Sequence, residues 1–96
     1  MPEGSIRRRV TVRGLVQGVF FRETVRRIAQ RHPVAGSVRN VGNDRVEIEA
    51  EGDGAAVAAF IADVLAHPPP QARVDAVDEV LTTPTGETGF GVGSTR

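Results

Sequence analysis

The residues best suited to do chemistry lie in one stretch, Gly14-Leu15-Val16-Gln17-Gly18-Val19-Phe20-Phe21-Arg22. It has a glycine near each end and an arginine where a helical pattern begins. A loop of this kind can aim the backbone N–H groups of Leu15, Val16, Gln17, Gly18, Val19 and Phe20 at one point. The first N–H groups of a helix have no intrahelical partner, and the helix dipole adds partial positive charge there. Together these make a site for phosphate or another anion. Gly14 and Gly18 permit tight turning and close backbone approach. Arg22 adds a planar donor fork that matches phosphate oxygens. The alternative stays open at this point, because strand-to-helix loops with two glycines also occur without a ligand. The stretch lacks the Gly-Lys-Ser/Thr ending of a P-loop, and it lacks the third glycine and distant acid of a dinucleotide fingerprint.

The elements around the loop must hold it. Ile6, Arg8, Val10 and Val12 alternate with Arg7, Arg9, Thr11 and Arg13, the period of a half-buried strand. Arg8 interrupts the apolar side near the sheet margin, and the run Arg7-Arg8-Arg9 reads as a solvated strand face. After the loop, Phe21, Val25, Ile28, Ala29 and His32 form an amphipathic stripe, so a helix is expected over 21–32. Pro33 limits it. His32 reads as a helix-terminal histidine and not as a catalytic one. Val34–Val41 and Arg45–Glu51 read as a hairpin about Gly42-Asn43-Asp44. Asp53 is the expected N-cap of a second helix, in which Val57, Phe60, Ile61, Val64 and Leu65 follow helical spacing. His67 and Pro68-Pro69-Pro70 end it. Ala72–Leu81 is a further strand with Val74, Ala76, Val77 and Val80 as apolar positions; its imperfect alternation suggests a bulge. Residues 82–88 are a loop, and Phe90-Gly91-Val92 a short last strand. The order βαββαβ is that of an α+β, ferredoxin-like sandwich: an antiparallel sheet with two helices on one face. Residues 6–93 are expected to form the domain, flanked by a flexible 1–5 and a tail at 94–96.

Composition narrows the chemistry. Ninety-six residues suit one domain with a modest core. Cysteine is absent, which excludes disulfides, thiol nucleophiles and thiolate metal sites. All twelve basic residues are arginine, so lysine chemistry is excluded too. No apolar run is long enough to span a membrane and no secretory signal is visible, so the expected location is the cytoplasm. The formal net charge is zero, but residues 1–40 carry nine Arg against two acids (+7) and residues 41–96 carry three Arg against ten acids (−7). Either the anion loop sits in a positive field, or the halves interleave and neutralise. The aromatics are Phe20, Phe21, Phe60 and Phe90, thin support for base stacking, so no nucleic-acid partner is expected.

The segment Val12-Arg13-Gly14-Leu15-Val16-Gln17-Gly18-Val19-Phe20-Phe21-Arg22 resembles the signature of the acylphosphatases. Gly36-Ser37-Val38-Arg39-Asn40, followed by Val46-Glu47-Ile48-Glu49-Ala50-Glu51-Gly52, resembles that family's second motif. The two stand in the same order and at the same separation, and the likeness runs from about Arg8 to Val92. It implies the same βαββαβ fold and hydrolysis of a small-molecule acyl phosphate to a carboxylate and orthophosphate. It also implies that Arg22 and Asn40 are catalytic, Arg22 binding the phosphoryl group together with the loop and Asn40 orienting the attacking water. Spacing alone would read Asn40 as a turn-former near the hairpin. In that family no metal or cofactor is required, and the substrate phosphate is thought to assist proton removal from water. The chemistry suits the residues present: the leaving carboxylate needs no proton, so positioning and electrostatics can supply the catalysis. Glu23, Ser37, Val41 and the ending Ala66-His67-Pro68-Pro69-Pro70 depart from the pattern, and Glu23 would weaken the local positive field. A monomer is the expected state. The competing expectation is a phosphate- or anion-binding module of the same fold without turnover.

Overall fold

The computed structural model describes residues 4–93. They are ordered as β1 (Ser5–Leu15), α1 (Phe21–Ala29), β2 (Ala35–Val41), β3 (Arg45–Asp53), α2 (Gly54–Ala66), β4 (Arg73–Thr82) and β5 (Phe90–Val92). The expected ends at 1–3 and 94–96 lie outside the described residues; Ser5, expected to be outside the domain, begins β1 and opposes Asp53 of β3.

The sheet order is β4-β1-β3-β2-β5. The first four strands pair antiparallel, as the periodicity implies. The sheet as a whole is mixed, because β5 runs parallel to β2 and pairs Gly36 with Phe90 and Val38 with Val92. The loop from β4 crosses the sheet to reach that far edge, which a wholly antiparallel reading does not anticipate.

Register sets the two faces. Val10 opposes Ile48, Val12 opposes Val46, and Val38 opposes Ile48 from the other side, so these side chains share one face. Phe21, Val25 and Ile28 of α1, and Val57, Phe60 and Val64 of α2, close over them in one core. Burial of each of the larger side chains stabilises by roughly 1.5–3 kcal/mol before entropy is counted. α1 stops at Ala29, three residues short of the expected end. Gln30, Arg31 and His32 donate to the carbonyls of Arg27, Ile28 and Ala29, a tightened i−3 pattern that ends many helices. Asp53 stands at the N-cap of α2 but its side chain makes no cap hydrogen bond.

Two expectations about exposure change. The helices pack over β1, β2, β3 and β5, so Val77, Val80 and Leu81 of the outer strand β4 face solvent. The expected bulge is present opposite Arg13/Gly14, where the β1–β4 register shifts. Arg7 is buried, not solvated. Its guanidinium donates to Glu49, Glu51 and Glu87 at 2.9 Å each. Glu51 is only 2% exposed and also accepts the backbone N–H groups of Thr85 and Gly86 at 2.8 Å. The Thr85 N–H above all, with Arg7 and the Gly86 N–H, outweighs burial and holds the Glu51 carboxyl down at about 2. Burial pulls Arg7 down, but the carboxylates of Glu51, Glu87 and Glu49 more than reverse that and raise it. This network straps the loop between β4 and β5 onto the open face of the sheet. The charge halves interleave in the same way: Arg8 meets Glu79 at 3.4 Å, and Arg39 pairs with Glu47.

Candidate active site

The loop after β1 owes its shape to two contacts at Gly14, one with β4 and one with the turn between β2 and β3, and to two buried valines. Gly14 has φ +142, and a Cβ there would stand 2.1 Å from the carbonyl oxygen of Arg73, so β4 can approach only a glycine. Its N–H donates to the Asp44 carbonyl at 2.9 Å. Val16 and Val19 turn inward and are buried, pinning the loop to the core at both ends. Between and after them, Gly18 (φ 72) and Phe20 (φ 63) take left-handed backbone conformations. That region is open to glycine but costs a bulky L-residue about 1–2 kcal/mol. Gln17 braces the loop: its Nε2 donates to the carbonyls of Arg45 at 2.9 Å and Gly42 at 3.1 Å in the hairpin turn. Among the described residues, no backbone N–H from Val16 to Phe20 donates to a protein acceptor. Those donors, with the first N–H groups of α1, are left for a ligand.

A cavity of about 210 Å³ opens in front of the loop and is lined by Val16, Gln17, Gly18, Phe20, Phe21, Arg22, Glu23, Asn40 and Val92. The two motifs, distant in sequence, thus meet in one place. Asn40 arrives there because its register partner is Val46, which puts it on the helix-facing side of β2. Leu15 ends β1 with its side chain half exposed, and Val19 points into the core; neither side chain lines the cavity. Ser37 lies against β5 in a different depression. Val41 stays outside the cavity and offers its carbonyl to Gln17 at 3.5 Å.

Arg22 leaves the first turn of α1, and its Nη1 donates to the Gly93 carbonyl at 3.1 Å. The bond fixes one corner of the guanidinium and leaves the other donors to the cavity. Glu23 also lines the cavity, but Arg26 holds it at 3.1 Å through Nε and Arg27 stands 3.6 Å away. Arg26 above all keeps its carboxyl below the ordinary range, so the anion expected to weaken the site is already matched by cations. Asn40 is 8% exposed, and its Oδ1 is sealed from solvent with no hydrogen-bond partner among the described residues. A buried amide oxygen without a partner calls for an explanation beyond folding. His32 is remote from all this; its Nε2 meets Asp63 at 2.9 Å and its ring packs on Phe60.

Three features were not visible in the sequence reading: the Gln17 brace, the Gly93 carbonyl on Arg22, and the left-handed Phe20. None of the three has a local signal in the sequence, because each depends on a remote carbonyl or on a backbone angle.

The Acylphosphatase family model matches residues 8–92. An acylphosphatase of Anaeromyxobacter dehalogenans is 44% identical over 84 residues, covering 88% of this chain and 89% of its own. One of Gloeobacter violaceus is 44% identical over 88 residues, covering 92% and 94%. The crystal structure of acylphosphatase from Bacillus subtilis superposes with a TM-score of 0.85 at 32% identity, covering 92% of this chain and 98% of that one.

Proposed function

The chain belongs to the acylphosphatase family, and from that premise we propose that Arg22 and Asn40 are its catalytic residues and the loop 14–22 its phosphate cradle. The protein is an acylphosphatase: it hydrolyses the carboxyl-phosphate anhydride of an acyl phosphate to a carboxylate and orthophosphate. The observation that carries the site assignment is the meeting of Arg22, the loop and the partnerless Asn40 amide in one cavity.

In this reading the phosphoryl oxygens lie against the loop N–H groups and the free edge of the Arg22 guanidinium. These donors are fixed before substrate arrives: the loop by Val16, Val19 and Gln17, the arginine by Gly93. Fixed donors of this kind stabilise charge without reorganising during the reaction. The Asn40 side-chain amide orients water on the side of phosphorus opposite the acyl oxygen. The new bond forms from the water oxygen to phosphorus as the bond from phosphorus to the acyl oxygen breaks. The electron pair leaves on the carboxylate, which is stable unprotonated at neutral pH, so no general acid is needed. The water proton passes to a phosphoryl oxygen, giving orthophosphate. No metal or cofactor enters these steps. A monomeric state and cytoplasmic residence belong to the same proposal.

The test is hydrolysis of benzoyl phosphate by the purified protein, with Arg22→Ala as control. Turnover in the parent that disappears in the variant, with an unchanged circular dichroism spectrum, is the expected result. Unchanged turnover in Arg22→Ala would remove Arg22 from the mechanism. A folded parent that binds phosphate without turnover would return the non-catalytic module.

A further inference from the structure

Phe20 has a ring that folding does not explain. It is 81% exposed, so it contributes little to the core. Its backbone is left-handed at φ 63, a conformation unfavourable for an aromatic residue and open to glycine. The neighbouring left-handed position is in fact a glycine, Gly18. The backbone there is held firmly, because both the N–H and the hydroxyl of Thr24 donate to the Phe20 carbonyl at 3.0 Å. The ring is therefore launched from a fixed point.

Behind it lies a second depression of about 350 Å³, with Val19 and Pro69 as apolar walls and Thr24, Arg27 and Gln71 as its polar side. That size falls within the range of roughly 300–1,000 Å³ usual for small-molecule sites. Pro69 is buried and Pro70 is next to it, so this side of the groove is stiff. Phe20 lines both this groove and the phosphoryl cavity. The two depressions are thus neighbours that share one aromatic wall.

We propose that this groove is the acyl subsite, and that Phe20 is the specificity-determining residue that favours acyl phosphates with an aromatic or bulky apolar acyl group over acetyl phosphate. The proposal rests on the reading of the loop 14–22 as the phosphoryl site. With the phosphoryl group in the cradle, an acyl group larger than acetyl must leave the small cavity, and the path over the Phe20 ring leads into the groove. A ring there can stack on Phe20 and lie against Val19 and Pro69. Arg27 stands at the rim and favours a substituent with a hydrogen-bond acceptor or negative charge at its far end.

Two measurements test this. Amide NMR of the unaltered protein is followed during titration with methylphosphonate and with benzylphosphonate. Both should shift the amides of 16–22, and benzylphosphonate alone should also shift Thr24, Arg27 and Gln71. The same set of shifts from both ligands overturns the acyl subsite while leaving the phosphoryl site intact. No shift in 16–22 from either ligand removes the phosphoryl reading and the subsite with it. In the second measurement, kcat/KM for benzoyl phosphate is divided by kcat/KM for acetyl phosphate in the parent and in Phe20→Ala. Disturbance of the cradle affects both substrates and cancels in this ratio. The ratio should fall roughly 3- to 10-fold, as loss of one aromatic contact implies. An unchanged ratio overturns the role of Phe20.

Discussion

Replacement of Asn40 by alanine should make the protein more stable and nearly inactive. In most active-site variants a loss of activity can be blamed on damage to the fold, and here the two effects should separate in sign. Asn40 lies on the core-facing side of β2 and its Oδ1 is sealed without a partner. A buried polar group left unsatisfied costs about 1–3 kcal/mol, and Asn40→Ala removes that atom. What is lost in exchange is small. No side-chain hydrogen bond among the described residues is broken, and the space left opens into the phosphoryl cavity instead of forming a closed void. We therefore expect a gain of about 1 kcal/mol, which for a domain of this size raises Tm by about 4–8 °C. Loss of one well-placed polar group from a preorganised site costs about 10²–10³ in kcat, and phosphate affinity should stay within about twofold because the loop donors and Arg22 are untouched. Calorimetry, benzoyl phosphate turnover and phosphate titration on the same preparation read all three. A lower Tm with weakened phosphate binding would mean that Asn40 shapes the loop. A higher Tm with undiminished turnover would keep the stability argument and refute the water-orienting role.

Arg22→Lys should recover little of the activity lost in Arg22→Ala, because an ammonium cannot hold the Gly93 carbonyl and present a donor fork at once; near-parent turnover would show that point charge suffices. Gln17→Ala frees the loop from the hairpin carbonyls and should raise KM and lower kcat together; parent-like values of both would refute the brace. Glu51→Gln tests the strap over the open face. The Glu51 carboxyl sits at about 2 in the folded protein, below its unfolded value of about 4.3. Its contribution is therefore fully present above about pH 4.3 and is lost as pH falls towards 2. The Tm difference between parent and Glu51→Gln should be constant from pH 5 to 7 and shrink from pH 4 downwards; a difference independent of pH would refute the assignment. Turnover should be indifferent to EDTA, and inhibition reversed by added metal would contradict a site run by Arg22 and backbone donors alone.

Legibility from sequence follows how local the determinant is. The alternation in β1 and β3 and the stripes of α1 and α2 depend on neighbours in the chain, and they place the core with little error. The same logic fails where a partner is remote. Arg7 reads as one of three solvated arginines, yet it is buried because Glu49, Glu51 and Glu87 come from another strand and a later loop. β4 shows apolar positions and should be half buried, but it is an edge strand, and although Val74 packs against the core, Val77 and Val80 remain exposed. The pairing of β5 with β2 is invisible for the same reason. At the site, Arg22 and the loop could be argued from local backbone physics, whereas Asn40 could not: a strand asparagine becomes a site residue only because β2 runs beside β3 with Asn40 opposite Val46. Phe20 shows the converse. Its identity was plain, but its meaning depends on φ and exposure, which no spacing rule supplies. Replacing Phe20 with glycine would relieve about 1–2 kcal/mol of left-handed strain, offset by about 0.4–1 kcal/mol of extra unfolded-state entropy and a little lost burial. Folding stability is thus nearly indifferent to this side chain, which leaves the ring free for the acyl-subsite role proposed for it.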